Sequence, residues 1–333
     1  MDPVWALRQI AFHLERNGEP TYRVRAFRNA ATVIESLASG EVEQRVNNET
    51  LAALPGIGKA TARVVADAVA GREPEYLTKV LQGGDPVPDG GALRQALRGD
   101  CHTHSDWSDG GSPVAEMAEA ARDLGHEWMV LTDHSPRLTV ANGLSPDRLR
   151  AQLELVATLN ERMAPFRILT GIEVDIHLDG TLDQEPELLG SLDFVVASVH
   201  SKLRMPAQEM TARMLKAVSN ARVNVLGHCT GRLVTGRGRP ESEFDAEKVF
   251  EACREHDVAV EINSRPERLD PPRRLLSLAA EIGCRFAIDT DAHAPGQLGW
   301  QPFGCVRATQ CGITPAEIVN TMTAEQLLTW AGR

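Results

Sequence analysis

The sequence has few of the features of secreted, disulfide-bonded or membrane-spanning chains. Its 333 residues contain six cysteines, and no two of them form a Cys-x-x-Cys pair. Scattered cysteines of this kind are typical of reduced thiols, and we predict a cytoplasmic protein. No stretch approaches the roughly 18 consecutive apolar residues of a membrane helix. Charges interrupt the apolar pattern of residues 1–19, which predicts an amphipathic helix rather than a signal peptide.

The chain also lacks an excess of basic residues. Its formal net charge is -11: residues 1–95 carry 11 Lys and Arg against 12 Asp and Glu, and residues 96–333 carry 24 against 34. With 42% hydrophobic residues the composition excludes collagen and wholesale disorder, and the length allows a large domain and a small one. The acidity of the second part is explained if its carboxylates and histidines hold divalent cations, because the ions then dominate the local field.

A stretch rich in glycine and proline divides the chain. We predict a helical domain over residues 1–81, a linker over 82–96 and a second domain over 97–333. In the second domain apolar runs alternate with amphipathic helical patterns, which predicts an α/β fold with parallel strands in a barrel or an open sheet. The seven predicted strands are 98–104, 128–133, 167–175, 193–199, 223–227, 258–263 and 286–291.

Metal-ligand residue types follow almost every predicted strand. His102 and His104 are two residues apart, so that in a strand both imidazoles face the same side. The carboxyl ends of parallel strands meet at one edge, so side chains from separate strands converge there. A lone histidine is more often a core residue, but His, Asp or Glu at the ends of nearly all the predicted strands favours a metal site. The predicted ligands are His102, His104, Asp109, His134, Glu173, His200, His228, Asp291 and His293.

Nine ligands exceed the needs of one ion. At roughly four protein ligands per ion they suit two or three, and imidazole-rich sites favour Zn, Mn or Fe. Clustered divalent ions generate hydroxide from water and neutralise phosphate oxygens, so we predict phosphoester hydrolysis. Asp106, Asp133 and Asp175 are predicted to orient the imidazoles from behind. The remaining histidines, His13, His126, His177 and His256, are predicted to be surface residues.

Basic residues follow several of the same strands. Lys202, Arg232 and Arg268 are the candidates for handling phosphate in catalysis, and Arg265 follows the same predicted strand as Arg268. Each one alone is as well explained as an ordinary surface residue.

The first domain contains the segment Leu-Pro-Gly-Ile-Gly-Lys-Ala-Thr-Ala at 54–62. It has the pattern of a helix-hairpin-helix element, in which Gly56 and Gly58 allow a tight turn and the next helix exposes N–H groups to a DNA phosphate. Lys59 adds charge, so we predict sequence-independent contact with the DNA backbone. A plain turn between helices is the alternative. Residues Arg23, Arg25 and Arg28 either widen this basic surface or pack the helices.

The second domain resembles a known family through a series of motifs. They are Asp-Cys-His-Thr-His-Ser at 100–105, Leu-Thr-Asp-His-Ser at 131–135, Gly-Ile-Glu-Val-Asp at 171–175, Val-Ala-Ser-Val-His-Ser at 196–201, Gly-His at 227–228 and Thr-Asp-Ala-His at 290–293. Over residues 97–331 this pattern is similar to the polymerase and histidinol phosphatase (PHP) superfamily, most of all to the version at the C-terminus of bacterial family X DNA polymerases. Residues 1–80 resemble the N-terminal helical domain of the same polymerases.

The resemblance implies a distorted seven-stranded β/α barrel with three metal ions and a 3′-to-5′ exonuclease or 3′-end phosphoesterase activity, often with manganese. The implied ligand sets are His102, His104, Glu173 and Asp291 for one ion, Glu173, His200 and His228 for a second, and Asp109, His134 and His293 for a third. The polymerase palm has no counterpart in the predicted linker, so we do not expect polymerisation. Val64 stands where eukaryotic relatives have a lyase lysine.

Three functions are compatible with these patterns. The first is a metal-dependent phosphoesterase that processes DNA 3′ ends, as in repair. The second is a small-molecule phosphatase of the histidinol-phosphatase type, and the third is a DNA-binding scaffold with an inert barrel. The sequence leaves the oligomeric state and the native metal open.

Overall fold

The structure is a computed structural model that describes residues 1–84 and 86–332. It forms two compact units, Met1–Pro86 and Val87–Arg333, each with its own core. Asp85 in the predicted linker and Arg333 at the chain end lie outside the described residues. The finer domain boundaries proposed from the sequence stay a prediction. Within the described part of the chain, no helix is both long and apolar enough to cross a membrane.

The first unit contains five helices around a small apolar core. They are α1 (Pro3–Arg16), α2 (Thr21–Glu35), α3 (Glu41–Asn47), α4 (Lys59–Val69) and α5 (Glu75–Gln82). The side chain of Asp2 accepts a hydrogen bond from the Val4 N–H, which caps the start of α1. Leu7, Phe27 and Val65 are buried between α1, α2 and α4, because the apolar residues of each helix recur at the helical period.

Two of the three basic residues considered on α2 form ion pairs within the unit. Arg28 donates to both carboxylate oxygens of the buried Glu15, at 2.7 and 2.8 Å. Arg23 pairs with Glu19 at 2.6 Å. These two arginines therefore pack and brace the helices, whereas Arg25 is exposed.

The segment before the hairpin differs from its prediction. The sequence pattern predicts a helix that starts at Leu51, but the structure has only a single 3-10 turn, Leu51–Ala53, before the hairpin. Leu54 is extended, with ψ of 133°. Pro55 explains this, because the residue before a proline is excluded from the helical region.

The second unit is a barrel of seven parallel strands in chain order. They are β1 (Gly99–Thr103), β2 (Trp128–Leu131), β3 (Arg167–Asp175), β4 (Phe194–Ser198), β5 (Val225–Leu226), β6 (Ala259–Asn263) and β7 (Phe286–Asp289). A parallel bridge between Thr103 and Ala292 joins the two edge strands, so the barrel is nearly closed. The predicted fold class is confirmed.

Helices separate the strands and cover the barrel. They are α6 (Gly91–Ala96), α7 (Val114–Asp123), α8 (Pro146–Met163), α9 (Pro186–Ser191), α10 (Ala207–Val218), α11 (Ala246–Glu255), α12 (Arg273–Ile282), α13 (Gln301–Gln310) and α14 (Ala324–Trp330). Helix α6 lies inside the stretch that the sequence predicts to be linker. Gly90 takes a left-handed φ of 72° just before it, and buried Leu93 anchors it to the barrel core.

Nearly every strand residue of the barrel is buried, as expected for parallel strands with helices on the outside. Apolar side chains such as Val130, Val196 and Ile288 fill the interior and the layer beneath the helices. Polar residues instead gather where the strands end. The carboxyl-terminal edge therefore carries a buried polar cluster on an otherwise apolar frame.

Candidate metal centre

Glu173, near the end of β3, is the centre of the polar cluster. Its side chain is completely buried, yet five imidazoles from four other strand ends surround its two oxygens. The imidazole nitrogens within 3.6 Å are Nε2 of His228 at 2.9 Å, Nδ1 of His134 at 2.9 Å, Nε2 of His200 at 3.1 Å, Nε2 of His102 at 3.3 Å and Nε2 of His104 at 3.6 Å. One carboxylate thus connects most of the predicted ligands.

Two further carboxylates join the remaining histidine to this cluster. Asp109 Oδ1 lies 3.3 Å from His293 Nε2 and 3.5 Å from His134 Nε2. Asp291 Oδ1 lies 3.4 Å from His104 Nε2 and 3.5 Å from His293 Nδ1. The structure therefore brings all nine side chains predicted as ligands to one edge of the barrel.

Three overlapping sets of donor atoms are close enough to share an ion, with each set spanning no more than 4.8 Å. The sets are His104, Asp109, His134 and His293; His102, His104 and Glu173; and His134, Glu173 and His200. His104, His134 and Glu173 each belong to two of these sets, so the candidate positions for ions are adjacent. His104 groups with the third implied set as well as the first, because its ring centroid lies 4.5 Å from that of His134 and 4.2 Å from that of His293.

The donor atoms themselves fit divalent cations. Among the described residues, several buried donor atoms of the cluster have no hydrogen-bond partner: His102 Nε2, both ring nitrogens of His104, His134 Nδ1, His228 Nδ1 and Glu173 Oε2. Buried polar atoms are normally paired, so an exception shared by neighbouring ligands needs a cause. Imidazole and carboxylate together are the donor set of Zn, Mn and Fe sites.

The charges within the cluster are strongly coupled. Burial raises the pKa of the Glu173 carboxyl, but His102 and His200 outweigh this and hold the pKa well below its usual value. Burial lowers the pKa of His104 well below the ordinary imidazole value, and the neighbouring histidines add to this effect. His104 is therefore neutral and Glu173 ionised near pH 7, which are the forms that bind a metal.

Metal affinity should rise with pH, because two other imidazoles are protonated before an ion binds. Burial lowers the pKa of His200, but Glu173 and Asp175 raise it to about 9 overall. The carboxylates of Glu173 and Glu261 likewise outweigh burial at His102 and raise its pKa well above the usual value. An ion must displace these protons, so affinity increases about 10-fold per pH unit for each proton released and is lost as the pH falls.

A chelator-competition titration with Zn²⁺ at pH 6, 7 and 8 measures this dependence. Proton release on binding is obtained independently by calorimetry in two buffers of different ionisation enthalpy. Equal affinities at the three pH values, with no proton release, would contradict the arrangement of charges described above.

A cavity of about 470 Å³ opens onto the cluster. Apolar side chains from two loops line its mouth, including Leu138, Val140 and Leu233. Val140 is 90% exposed at this rim. Arg265 and Arg268 line the same cavity beside the ligands, so the opening is apolar at its rim and cationic deeper down.

The three basic candidates occupy different environments. Arg268 is buried, its Nε lies 3.1 Å from Asp291 Oδ2, and it lines the cavity. Arg232 instead donates to the Arg268 carbonyl at 3.1 Å and to the Leu269 carbonyl, so it braces the backbone of the loop that carries Arg268. Lys202 lines a separate cavity with Met205, because its left-handed φ of 54° redirects the chain after β4.

Carboxylates behind the cluster hold its segments in place. Asp133 accepts from the Ser105 N–H at 2.8 Å and from the Ser108 hydroxyl at 2.5 Å, which fixes the loop before Asp109. Asp175 accepts from the backbone N–H of His200 at 3.1 Å. Asp106, also predicted to orient an imidazole, is exposed.

Sequence reasoning missed Glu261 on β6. It is completely buried, and its Oε1 lies 2.5 Å from Nδ1 of His102. The sequence does hold a signal, because Glu261 and Asn263 are two polar residues at strand period in an otherwise apolar strand.

Two of the histidines predicted to be at the surface are buried instead. His13 faces the core of the first unit and His126 precedes β2, and each is less than 9% exposed. Burial and nearby arginines lower the pKa of His13 to about 4 and that of His126 to about 3, so both are neutral near pH 7.

The hairpin of the first unit is exposed on one side. Gly56 has a φ of 87°, which only glycine adopts readily, and buried Ile57 anchors the turn. Gly58 and Lys59 are exposed, and no atom lies within 4 Å of where a Gly58 Cβ would be. The Gly58 N–H is used internally, since it donates to Thr61 Oγ1 at 2.9 Å. The exposed part of the hairpin therefore includes the start of α4, with Lys59 as its first residue.

Comparison with known proteins identifies both units. Residues 100–265 match the PHP domain family and residues 1–73 match a helix-hairpin-helix domain family. Over 231 residues the chain is 41% identical to the DNA polymerase/3′-5′ exonuclease PolX of Bacillus subtilis, an alignment that covers 69% of this chain and 40% of that protein. The chain thus corresponds to less than half the length of the Bacillus relative.

Other similar proteins match this chain over most of their own length. The chain is 28% identical over 244 residues to a protein named probable phosphatase from Aliivibrio fischeri, which covers 68% of this chain and 91% of that protein. The crystal structure of histidinol phosphate phosphatase from Lactococcus lactis, complexed with zinc, L-histidinol and phosphate, is similar with a TM-score of 0.47 and 18% identity. It covers 66% of this chain and 95% of that one.

The fold and the cluster together define a PHP barrel joined to a helix-hairpin-helix domain. The chain belongs to the PHP family of phosphoesterases, hydrolases that cleave phosphoester bonds.

Proposed function

We propose that this protein is a metal-dependent phosphoesterase acting on DNA, as a 3′-to-5′ exonuclease or a 3′-end-processing enzyme of DNA repair. The observation that carries the proposal is the buried Glu173 carboxylate with five imidazoles within 3.6 Å, at the base of an open cavity. The similarity to PolX and the exposed hairpin of the first unit support DNA as the substrate.

The nine side chains would hold two or three divalent ions, of Zn, Mn or Fe. Such ions lower the pKa of a water molecule and neutralise phosphate oxygens, which is the chemistry that phosphoester hydrolysis needs. In this chain Glu173 would be shared between neighbouring sites, and Asp109 and Asp291 would supply carboxylate ligands next to His293. Water would reach the cluster through the cavity.

Arg268 is our candidate for binding the phosphate. Its Nε pairs with Asp291 Oδ2 at 3.1 Å, whereas its Nη1 has no hydrogen-bond partner among the described residues, and its side chain lines the cavity. Burial alone would lower the pKa of its guanidinium, but Asp291 and Glu173 raise the pKa overall, so the group stays cationic. A planar cation with free N–H groups matches phosphate oxygens. Arg232 supports this role through the Arg268 backbone.

The test is a panel of substrates with the full chain loaded with Mn²⁺ or Zn²⁺. DNA duplexes and single strands labelled at the 3′ or the 5′ end are compared with histidinol phosphate and nucleotides. We expect loss of the 3′ label before the 5′ label, and no such loss with His102→Ala. Untouched DNA with both proteins would contradict the proposal.

A small-molecule phosphatase of the histidinol-phosphatase type is the second candidate. The observation in its favour is that the alignment covers 91% of the length of the Aliivibrio protein named probable phosphatase, against 40% of PolX. Rapid hydrolysis of histidinol phosphate with inert DNA in the same panel would support it. A DNA-binding scaffold would hydrolyse nothing in the panel.

The exposed hairpin leads to a prediction for DNA affinity. Lys59→Glu should weaken binding to DNA about 10-fold at low salt and reduce the salt dependence by about one counterion, because the contact is to backbone phosphates. Hydrolysis of p-nitrophenyl phosphate should not change. Fluorescence anisotropy with several unrelated duplexes measures the affinity and tests whether it is independent of sequence.

The matched control is Lys79→Glu, the same charge reversal on α5 of the same unit. An equal loss of affinity in both variants would indicate a general charge effect and contradict binding at the hairpin. A cytoplasmic location, expected from the scattered cysteines, is part of the proposal.

A further inference from the structure

Strand β6 differs from its neighbours at the metal centre, because it contributes none of the nine predicted ligands. Two side chains of β6, Glu261 and Asn263, nevertheless point into the cluster, and both are completely buried. They are two residues apart and therefore lie on the same face of the strand. Their contacts reach ligands on three other strands.

Glu261 connects two of these ligands. Its Oε1 lies 2.5 Å from Nδ1 of His102, which belongs to β1. Its Oε2 accepts the backbone N–H of His228, which follows β5, at 2.5 Å, and the side-chain amide of Asn263 at 3.2 Å. The same amide nitrogen of Asn263 lies 3.3 Å from Asp291 Oδ2, after β7.

We propose that Glu261 is a positioning residue for the metal centre, one that fixes the ring of His102 and the backbone of His228. The inference rests on the proposed function, because it assumes that these histidines bind metal. Two consequences of the geometry support it.

The first consequence concerns the tautomer of His102. A metal can bind Nε2 only if its lone pair is free, and the ring proton must then be on Nδ1. Glu261 Oε1 is the acceptor in reach of that proton. Nε2 is buried, has no hydrogen-bond partner among the described residues and faces Glu173 Oε2 at 3.3 Å. Glu261 thus holds the proton on Nδ1 and leaves Nε2 to present a lone pair to an entering ion.

The second consequence concerns the backbone of His228. This residue has a φ of 20°, an unfavourable conformation for a side chain with a Cβ. Its N–H donates to Glu261, and in this conformation its Nε2 lies 2.9 Å from Glu173 Oε1. The hydrogen bond stabilises the strained backbone that aims the imidazole at the centre.

The environment of Glu261 requires two accepting oxygens. The His228 N–H and the Asn263 amide donate to one oxygen, and the ring N–H of His102 donates to the other. Glutamine has the same shape but only one accepting oxygen, so it must face one donor with its own N–H groups. Glu261→Gln therefore disturbs either the His102 tautomer or the His228 backbone without creating a cavity.

The experiment measures Zn²⁺ affinity of the full chain by chelator competition, for the wild type and Glu261→Gln. We expect affinity to fall roughly 10- to 100-fold, the range for removal of a residue that orients a metal ligand. The control is Asp270→Asn, which changes another completely buried carboxylate, one that accepts from the Thr230 N–H and hydroxyl and from the Arg232 N–H rather than from a predicted ligand. Its Zn²⁺ affinity should stay within about twofold of the wild type.

Nitrogen NMR of the histidine rings in the Zn²⁺-bound wild type gives a second readout. We expect the His102 ring to carry a proton on Nδ1 in a strong hydrogen bond, and this signal to change in Glu261→Gln. An unchanged affinity in folded Glu261→Gln, an equal loss in Asp270→Asn, or a wild-type His102 without a proton on Nδ1 would each overturn the inference. A wild type that binds no Zn²⁺ would instead contradict the proposed function, and the inference with it.

Discussion

Replacing Glu173 with glutamine should lower phosphoester hydrolysis by at least about 10³-fold, on DNA and on small phosphoesters alike. Its oxygens lie within 3.6 Å of five imidazoles. Glu173 belongs to two of the three donor sets, so the substitution removes a charged ligand from both. Glutamine keeps the shape but offers a neutral amide. Steady-state rates with Mn²⁺, together with circular dichroism to verify the fold, measure the effect.

Glu281→Gln is the matched control, because it makes the same change at an exposed position on α12. It should retain the wild-type rate. Residual activity of Glu173→Gln above about a tenth of the wild type would mean that the carboxylate is not a ligand shared by neighbouring ions. This result would contradict the geometry proposed for the centre.

Replacing Arg268 with glutamine should lower kcat/KM about 10²- to 10³-fold, the scale for removing one cationic donor to a developing phosphate charge. Bound metal should be retained, because no ligand is removed. Arg268→Lys should recover part of the rate, since it restores the charge but not the planar pair of donors. Kinetics on a labelled duplex and elemental analysis of the same samples separate substrate handling from metal loss.

Arg274→Gln serves as the control for Arg268, because Arg274 is exposed on α12 and pairs with Glu241 away from the metal cavity. A normal rate in Arg268→Gln would contradict its role at the phosphate. Loss of metal in that variant would assign Arg268 to supporting Asp291 instead.

The barrel was predictable because its strands are short apolar runs bounded by clear helical patterns. The predicted range 167–175 coincides with β3, and the predicted range 258–263 differs from β6 by one residue at its start. The strand period also predicts that His102 and His104 share a face, and their ring centroids lie 5.1 Å apart. Such features depend on local sequence alone.

Features that depend on backbone direction after a strand end were not predictable in the same way. Lys202 and His228 both have a positive φ, and this turns one side chain away from the cavity and the other toward the cluster. No pattern in the sequence distinguishes the two. Arg232 follows a strand as expected, yet its hydrogen bonds to carbonyls of residues 268 and 269 arise from a contact between distant segments.

In residues 1–96 the structure differs from the predicted helices and linker for local reasons that the apolar pattern does not show. Pro55 removes the helix expected before the hairpin, because it holds Leu54 in an extended conformation. The Gly-rich stretch predicted as linker ends in α6, whose start at Gly91 is capped by the side chain of Asp89 at 2.8 Å. Glu261 was missed because the strand period that it shares with Asn263 marks a polar face of β6 but does not show what that face contacts.

The central claim is that histidines and carboxylates from separate strand ends hold a cluster of divalent ions around Glu173. Anomalous X-ray diffraction from crystals soaked in Mn²⁺ or Zn²⁺, collected at the absorption edge of the metal, tests it directly. The account predicts two or three anomalous peaks, each within coordination distance of at least three of the nine side chains and at least one beside Glu173. A map without peaks at this edge of the barrel, from crystals of folded protein in saturating metal, would contradict it.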